Sequence, residues 1–143
     1  MFERFTQKTV NIVEDAQDLA QSLKHNVVYS EHFLLALIKA PKGVEAKIFK
    51  MAGLDVDELE MKTLRKLREK SYFEKNGEIP FSKSVQNILK MAVKLADENK
   101  SHLVQPVHLF LAILCTQNFG SYKILEETDF DKEKVISNLK NLL

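Results

Sequence analysis

The chain has 143 residues, 45% of them apolar and 29% charged, enough for one soluble domain with a real core. Its 21 Lys and Arg nearly cancel its 20 Asp and Glu, so a net charge of +1 gives no global pull toward nucleic acid or an anionic membrane. No stretch approaches the roughly 18–20 apolar residues of a membrane span, and the charged start Met1-Phe2-Glu3-Arg4 is unlike a signal peptide.

The apolar spacing is helical throughout, with no strand pattern. Over residues 6–24, Val10, Ile12, Val13, Ala16, Leu19, Ala20 and Leu23 keep close to an i, i+3, i+4, i+7 rhythm, with Thr6 as N-cap. Residues 24–29 read as a connector. Residues 31–39 then form a short helix apolar on nearly every side, which belongs in a core; Ser30 supplies its entry chemistry. A third helix covers roughly 44–52 and ends at Gly53, a left-handed C-cap. Asp55-Val56-Asp57-Glu58 resembles a capping box opening a fourth. Residues 68–80, with Gly77 and Pro80, read as a solvent-facing linker.

After the linker the pattern repeats. Residues 5–67 slide onto 81–143 at an offset of 76 without a gap, and 15 of 63 positions are identical, where about 4 are expected by chance. Ser82 takes the place of Thr6. Ile88, Leu89, Ala92, Leu95 and Ala96 face inward, and residues 100–105 are the second connector. Residues 107–115 are the second apolar helix, with Pro106 suited to its first turn. Residues 120–128 and a helix capped by Asp131 complete the copy; Asp129 stands where Gly53 stood. The expectation is an all-α fold of eight helices. Two four-helix repeats, 1–67 and 81–143, join through linker 68–80 and are related by a pseudo-twofold axis.

The sole cysteine, Cys115, cannot form an intramolecular disulfide, which fits a reducing cytoplasm; its apolar run gives it the role of a small buried hydrophobe. Catalytic signatures are missing. The four glycines are isolated, so neither a phosphate-binding loop nor a dinucleotide fingerprint exists. No H-E-x-x-H or CxxC motif points to zinc. The symmetric His32 and His108 read as structural, each bonding a nearby backbone group or connector, while His25 and His102 have no companion ligands. Acidic pairs such as Asp55/Asp57 and Glu126/Glu127 read as caps and solvated faces. The expectation is a chain with no catalytic site, no metal and no cofactor.

What remains is surface. Glu31, in the first turn of the first buried helix, has two readings. It stabilises the helix N-terminus by about 0.3–1 kcal/mol, or it receives a cation beside anion-binding N–H groups. Phe2, Phe5 and Phe81 cluster where the two first helices begin. Phe5 and Phe81 read first as core, and Phe2 as the freer member of an aromatic rim.

The strings MFERFT, SEHFLLALI, GVEAKIF and IPFS, with the repeated H-x-x-L-A, resemble the N-terminal domain of Clp/Hsp100 unfoldases, most closely the ClpC branch. That resemblance covers the whole chain. It implies a mobile, non-catalytic N-domain on a hexameric ATPase, capturing protein substrates or an adaptor of MecA type and feeding the ClpP peptidase. ATP and Mg would act on other domains. It further implies phosphoarginine reading, in which a carboxylate takes the guanidinium and hydroxyl or N–H donors take the phosphoryl group. Site one is then Glu31, Ser30 and Thr6. Site two, Val107, Pro106 and Ser82, is degenerate, because Val107 cannot accept a guanidinium. Phe2, Phe5 and Phe81 would form the adaptor or small-ligand surface. The competing readings are a ClpB-like disaggregase N-domain binding unfolded apolar peptide and a free-standing two-repeat adaptor or regulator. A monomer is expected in isolation.

Overall fold

A computed structural model describes residues 2–40, 44–70, 78–116, 120–128 and 131–141, without the side chains of 44–46. Gly43, Gly77, Asp129 and residues 71–77 of the expected linker lie outside the described residues. Among those described there are eight helices and no strand. They are α1 (Gln7–Ser22), α2 (Ser30–Lys39), α3 (Val44–Met51), α4 (Val56–Arg68), α5 (Lys83–Glu98), α6 (Pro106–Leu114), α7 (Gly120–Glu126) and α8 (Lys132–Lys140).

Local chemistry sets the helix ends. Thr6 and Ser82 cap α1 and α5, each hydroxyl accepting the N–H three residues on, from Thr9 at 3.2 Å and Val85 at 3.1 Å. Asp55 caps α4 through the N–H groups of Asp57 and Glu58, and Asp131 caps α8 through Lys134. The capping box is only half made, because Glu58 turns outward to Lys62 at 3.1 Å. Gly53 has φ +69, as a left-handed C-cap requires. Lys24 and Lys100, identical under the 76-residue offset, adopt the same left-handed conformation with φ 60 and 57. Behind each, the next N–H reaches back five residues, His25 to Ala20 and Ser101 to Ala96, closing both long helices alike.

The two apolar helices form the centre. Every residue of α6 is buried, as is α2 from Ser30 to Leu37. α2 packs on α1, α4, α6 and α7, while α6 packs on α5, α8, α2 and α3. Phe49 and Phe110 meet in this core with ring centroids 5.1 Å apart.

The repeats are joined by exchanged backbone pairs. Phe5 bridges Val104 and Val28 bridges Phe81, both in parallel sense. Thr6 N–H donates to the Val104 carbonyl at 3.1 Å, and Val104 N–H to Arg4 at 2.8 Å. The offset-related pair matches it, with Ser82 N–H to Val28 and Val28 N–H to Pro80, each at 2.9 Å. Each connector thus carries the start of the other repeat's first helix.

One core assignment fails. α6 ends at Leu114, and Cys115 is its exposed C-cap. The apolar run outlasts the buried face by one residue, and the offset equivalent of Cys115 is Lys39, the exposed end of α2.

Three consequences can be measured. Phe110→Ala removes a fully buried ring and should cost about 3–5 kcal/mol in urea unfolding. Asp55→Ala removes one exposed cap and should cost about 1 kcal/mol. Cys115, exposed at the end of α6, should react with a disulfide reagent in the native state, without denaturant.

Candidate functional site

Glu31 is buried, 6% exposed, at the second position of α2. Ser30 Oγ donates to its Oε1 at 3.0 Å, and Lys70 Nζ, from the end of α4, pairs with its Oε2 at 3.1 Å. The same ammonium sits 4.2 Å from the centre of the Tyr29 ring. The cation receptor expected from the sequence is therefore already filled by a cation of the chain itself.

The carboxylate lies against the second repeat. A Cβ built on Gly120, the first residue of α7, would come within 2.6 Å of the Glu31 carboxyl carbon. Next to it, Ser121 N–H donates to Ser30 Oγ at 3.1 Å. Both capacities of the Ser30 hydroxyl are thus used internally. Ser30 is also not the cap: Tyr29 holds that position, and Ser30 is the first helical residue.

The sequence grouping of the hydroxyls changes. Thr6 was expected beside Ser30 and Glu31, and Ser82 beside Pro106 and Val107. The exchanged backbone pairs put Thr6 against Val104, on the connector into α6, and Ser82 against Val28, on the connector into α2. Thr9 reinforces this, its hydroxyl donating to the Val104 carbonyl at 2.9 Å. Glu31 and Ser30 thus share their end with Ser82, while Val107 and Pro106, both buried, share theirs with Thr6. The reason is the pseudo-twofold relation, which sequence order hides.

The aromatic residues do meet. Phe2 packs edge-on to Phe5 at 5.0 Å and to Phe81 at 6.5 Å, and Phe81 to Phe33 at 6.1 Å. They do not form an exposed rim: Phe5 is buried, and Phe2 and Phe81 are half-buried against the core.

Two features escaped the sequence. One is a groove of about 380 Å³ between α1 and α2, with Leu19 and Ala36 as apolar lining and Asp15, Asp18, Ser22 and Lys39 around it. The other is a pair of buried histidines. His25 Nδ1 lies 2.8 Å from His32 Nε2, and His32 Nδ1 accepts the Tyr29 N–H at 2.8 Å. Burial, then His25 and Lys70, push His32 down to about 3; burial also lowers His25 and His108. His102, by contrast, is exposed. Among the described residues no group of three or more His, Cys, Asp or Glu could hold a metal.

The close fit of Glu31 on Gly120 is testable by a double-mutant cycle. Gly120→Ala should destabilise by about 1–3 kcal/mol through overpacking. In a Glu31→Ala background the same change should cost much less, giving a non-additive cycle.

Residues 4–143 match the family model described as the Clp repeat (R) N-terminal domain. The chaperone protein ClpC2, chloroplastic, of Oryza sativa subsp. japonica is 30% identical over 139 residues, covering 94% of this chain and 15% of that relative. The chain therefore spans a small part of the relatives' length. The N-terminal domain of Hsp104 from Candida albicans has a similar fold, with TM-score 0.84 at 24% identity, covering 98% of this chain and 91% of that one. A ClpV N-domain in complex with VipB peptide gives TM-score 0.75 at 20% identity, covering 98% and 89%. The chain belongs to the Clp repeat (R) N-terminal domain family.

Proposed function

We propose that this chain is the substrate- and adaptor-capturing N-domain of a ClpC-like, ATP-dependent unfoldase. The observation that carries the reading is the match to a ClpC relative over 94% of the chain, joined to the family match over residues 4–143. In this reading ATP and Mg act on other domains, an adaptor of MecA type docks here, and the hexamer feeds ClpP. The same reading makes the isolated domain a monomer. A cytoplasmic setting belongs to the proposal. Among the described residues no helix is long and apolar enough to cross a membrane.

Phosphoarginine capture at one site is the sharper form. Glu31 would take the guanidinium, with Ser82 rather than Thr6 as the nearby hydroxyl. The second end, with Val107 in place of the carboxylate, would take none. An incoming guanidinium must displace Lys70 from Glu31, so the chain's own lysine competes with the ligand. Charge-assisted pairs of this kind are strong enough to matter, at about 1.5–3 kcal/mol for a hydrogen bond to a charged group.

A second reading follows from that same contact. With Glu31 closed by Lys70, capture of unmodified peptide or an adaptor helix needs no carboxylate. The half-buried Phe2 and Phe81 would then serve as the apolar seat.

Calorimetric titration with a phosphoarginine peptide and its unmodified twin separates the two. The first reading expects one equivalent, no binding in Glu31→Ala, and roughly tenfold or tighter binding in Lys70→Met, the counterpart of about 1.4 kcal/mol. Equal binding by wild type and Glu31→Ala would sink the carboxylate's role. Silence from both wild type and Lys70→Met, with the unmodified peptide bound, would establish the second reading instead.

A further inference from the structure

The His25–His32 contact has a fixed direction. Tyr29 N–H points at His32 Nδ1, so that nitrogen carries no proton. Neutral His32 therefore holds its proton on Nε2 and donates it to His25 Nδ1 across 2.8 Å. His25 is left with its proton on Nε2. Two bonds thus run one way, from the connector to α2 and back to the connector. Both rings are buried, His25 at 3% exposure and His32 at 0%.

An added proton has no place in this chain. On His25 Nδ1 it would set N–H against N–H. His32 cannot answer by changing tautomer, because its Nδ1 is taken by Tyr29. One proton therefore breaks either the His25–His32 bond or the Tyr29–His32 bond. The neighbours do not absorb the charge. Lys70, from the end of α4, opposes it at both rings, and Glu31, from α2, favours it at His25. The Tyr29 ring, stacked on His32 at 5.6 Å, carries Lys70 on a face.

The second repeat supplies an internal control. His108 Nδ1 accepts the Gln105 N–H at 2.8 Å, so it caps α6 as His32 caps α2. Ser101 stands in the place of His25, and His108 Nε2 is buried without a partner. The helix start therefore needs only the Nδ1 half of the arrangement. His25 adds a link that capping does not require.

We infer that the His25–His32 pair is an acid-released latch, whose opening by a single proton parts the connector Lys24–Tyr29 from α2. Both rings are harder to protonate folded than unfolded. As pH falls through about 6.5, the opened state binds protons before the closed one does. The latch is therefore at full strength above that pH. It weakens steadily as pH falls toward the folded value, which for His32 is about 3.

The test is nitrogen NMR of the imidazoles with amide hydrogen exchange, at pH 7.5 and pH 5, on the 143-residue chain. At pH 7.5 His32 should show a bare Nδ1 and a protonated Nε2, and His25 the same tautomer. At pH 5 the Tyr29 amide, corrected for intrinsic exchange, should open more often by a factor above the roughly 30-fold that linkage to one imidazole allows, because opening frees both His25 and His32. The Gln105 amide, which answers to His108 alone, should stay within that limit. In His25→Gln, whose amide oxygen still accepts from His32 but takes no proton, the added opening should shrink to that of the second repeat. Persistence of the full effect in His25→Gln, or Tyr29 protection that ignores pH while His25 titrates, overturns the latch. Should His25→Gln fail to fold, the wild-type tautomers decide: His25 protonated on Nδ1 at pH 7.5 is incompatible with it.

Discussion

The reciprocal pairing of each connector with the opposite repeat is the constraint on which the rest depends. Val28 and Val104 are wholly buried, and a buried backbone N–H or carbonyl must find a partner. Neither valine finds one within its own repeat. Val28 exchanges hydrogen bonds with Pro80 and Ser82, and Val104 with Arg4 and Thr6. A repeat cut free would lose these bonds and expose its buried valine to water. The duplication is therefore structural, and the two halves make one folding unit. The same four bonds fix where α1 and α5 begin, and so decide which hydroxyl stands near which buried helix.

That exchange turns a symmetric scaffold into an asymmetric surface. At one end Glu31 sits on Gly120, with Ser30 and Ser121 knitting α2 to α7. The 76-residue offset pairs Glu31 with Val107, and Gly120 with Val44. A carboxylate at one copy thus goes with a glycine across the axis. A buried carboxylate needs room and a counter-ion; Gly120 leaves the room and Lys70 supplies the charge. Glu31 therefore carries its own counter-ion, and any incoming cation must displace Lys70 to reach it.

Much of the fold was legible because it rests on local signals. Helical spacing, the caps Thr6, Ser82, Asp55 and Asp131, and the left-handed Gly53 each depend on residues within a few positions of one another. The almost wholly apolar α2 and α6 could be placed at the centre, since no other environment suits helices apolar on nearly every side. What was not legible depends on distance. Lys70 lies 39 residues from Glu31, and no pattern links them. The pairing of Thr6 with Val104, on the connector into α6, was hidden because sequence order cannot show that the connectors cross. Cys115 was placed in the core because an apolar run does not announce where its buried face stops.

The histidines show the same division in one motif. His32 and His108 recur at the third position of each buried helix, and both turn Nδ1 back to the N–H of the preceding cap. An imidazole there does what a Glu or Gln does in a capping box, without bringing a fixed negative charge into the core. The duplicated H-x-x-L-A therefore marks a structural need, which is why both copies keep it. His25 is different, since only one copy has it. It converts the idle Nε2 of a capping histidine into a bond that joins the connector to α2. The cap holds at any pH that leaves His32 neutral, whereas the added bond exists only while His25 is neutral as well. One repeat thus keeps the scaffold's plain version, and the other carries a titratable link beside the one end where a carboxylate survives.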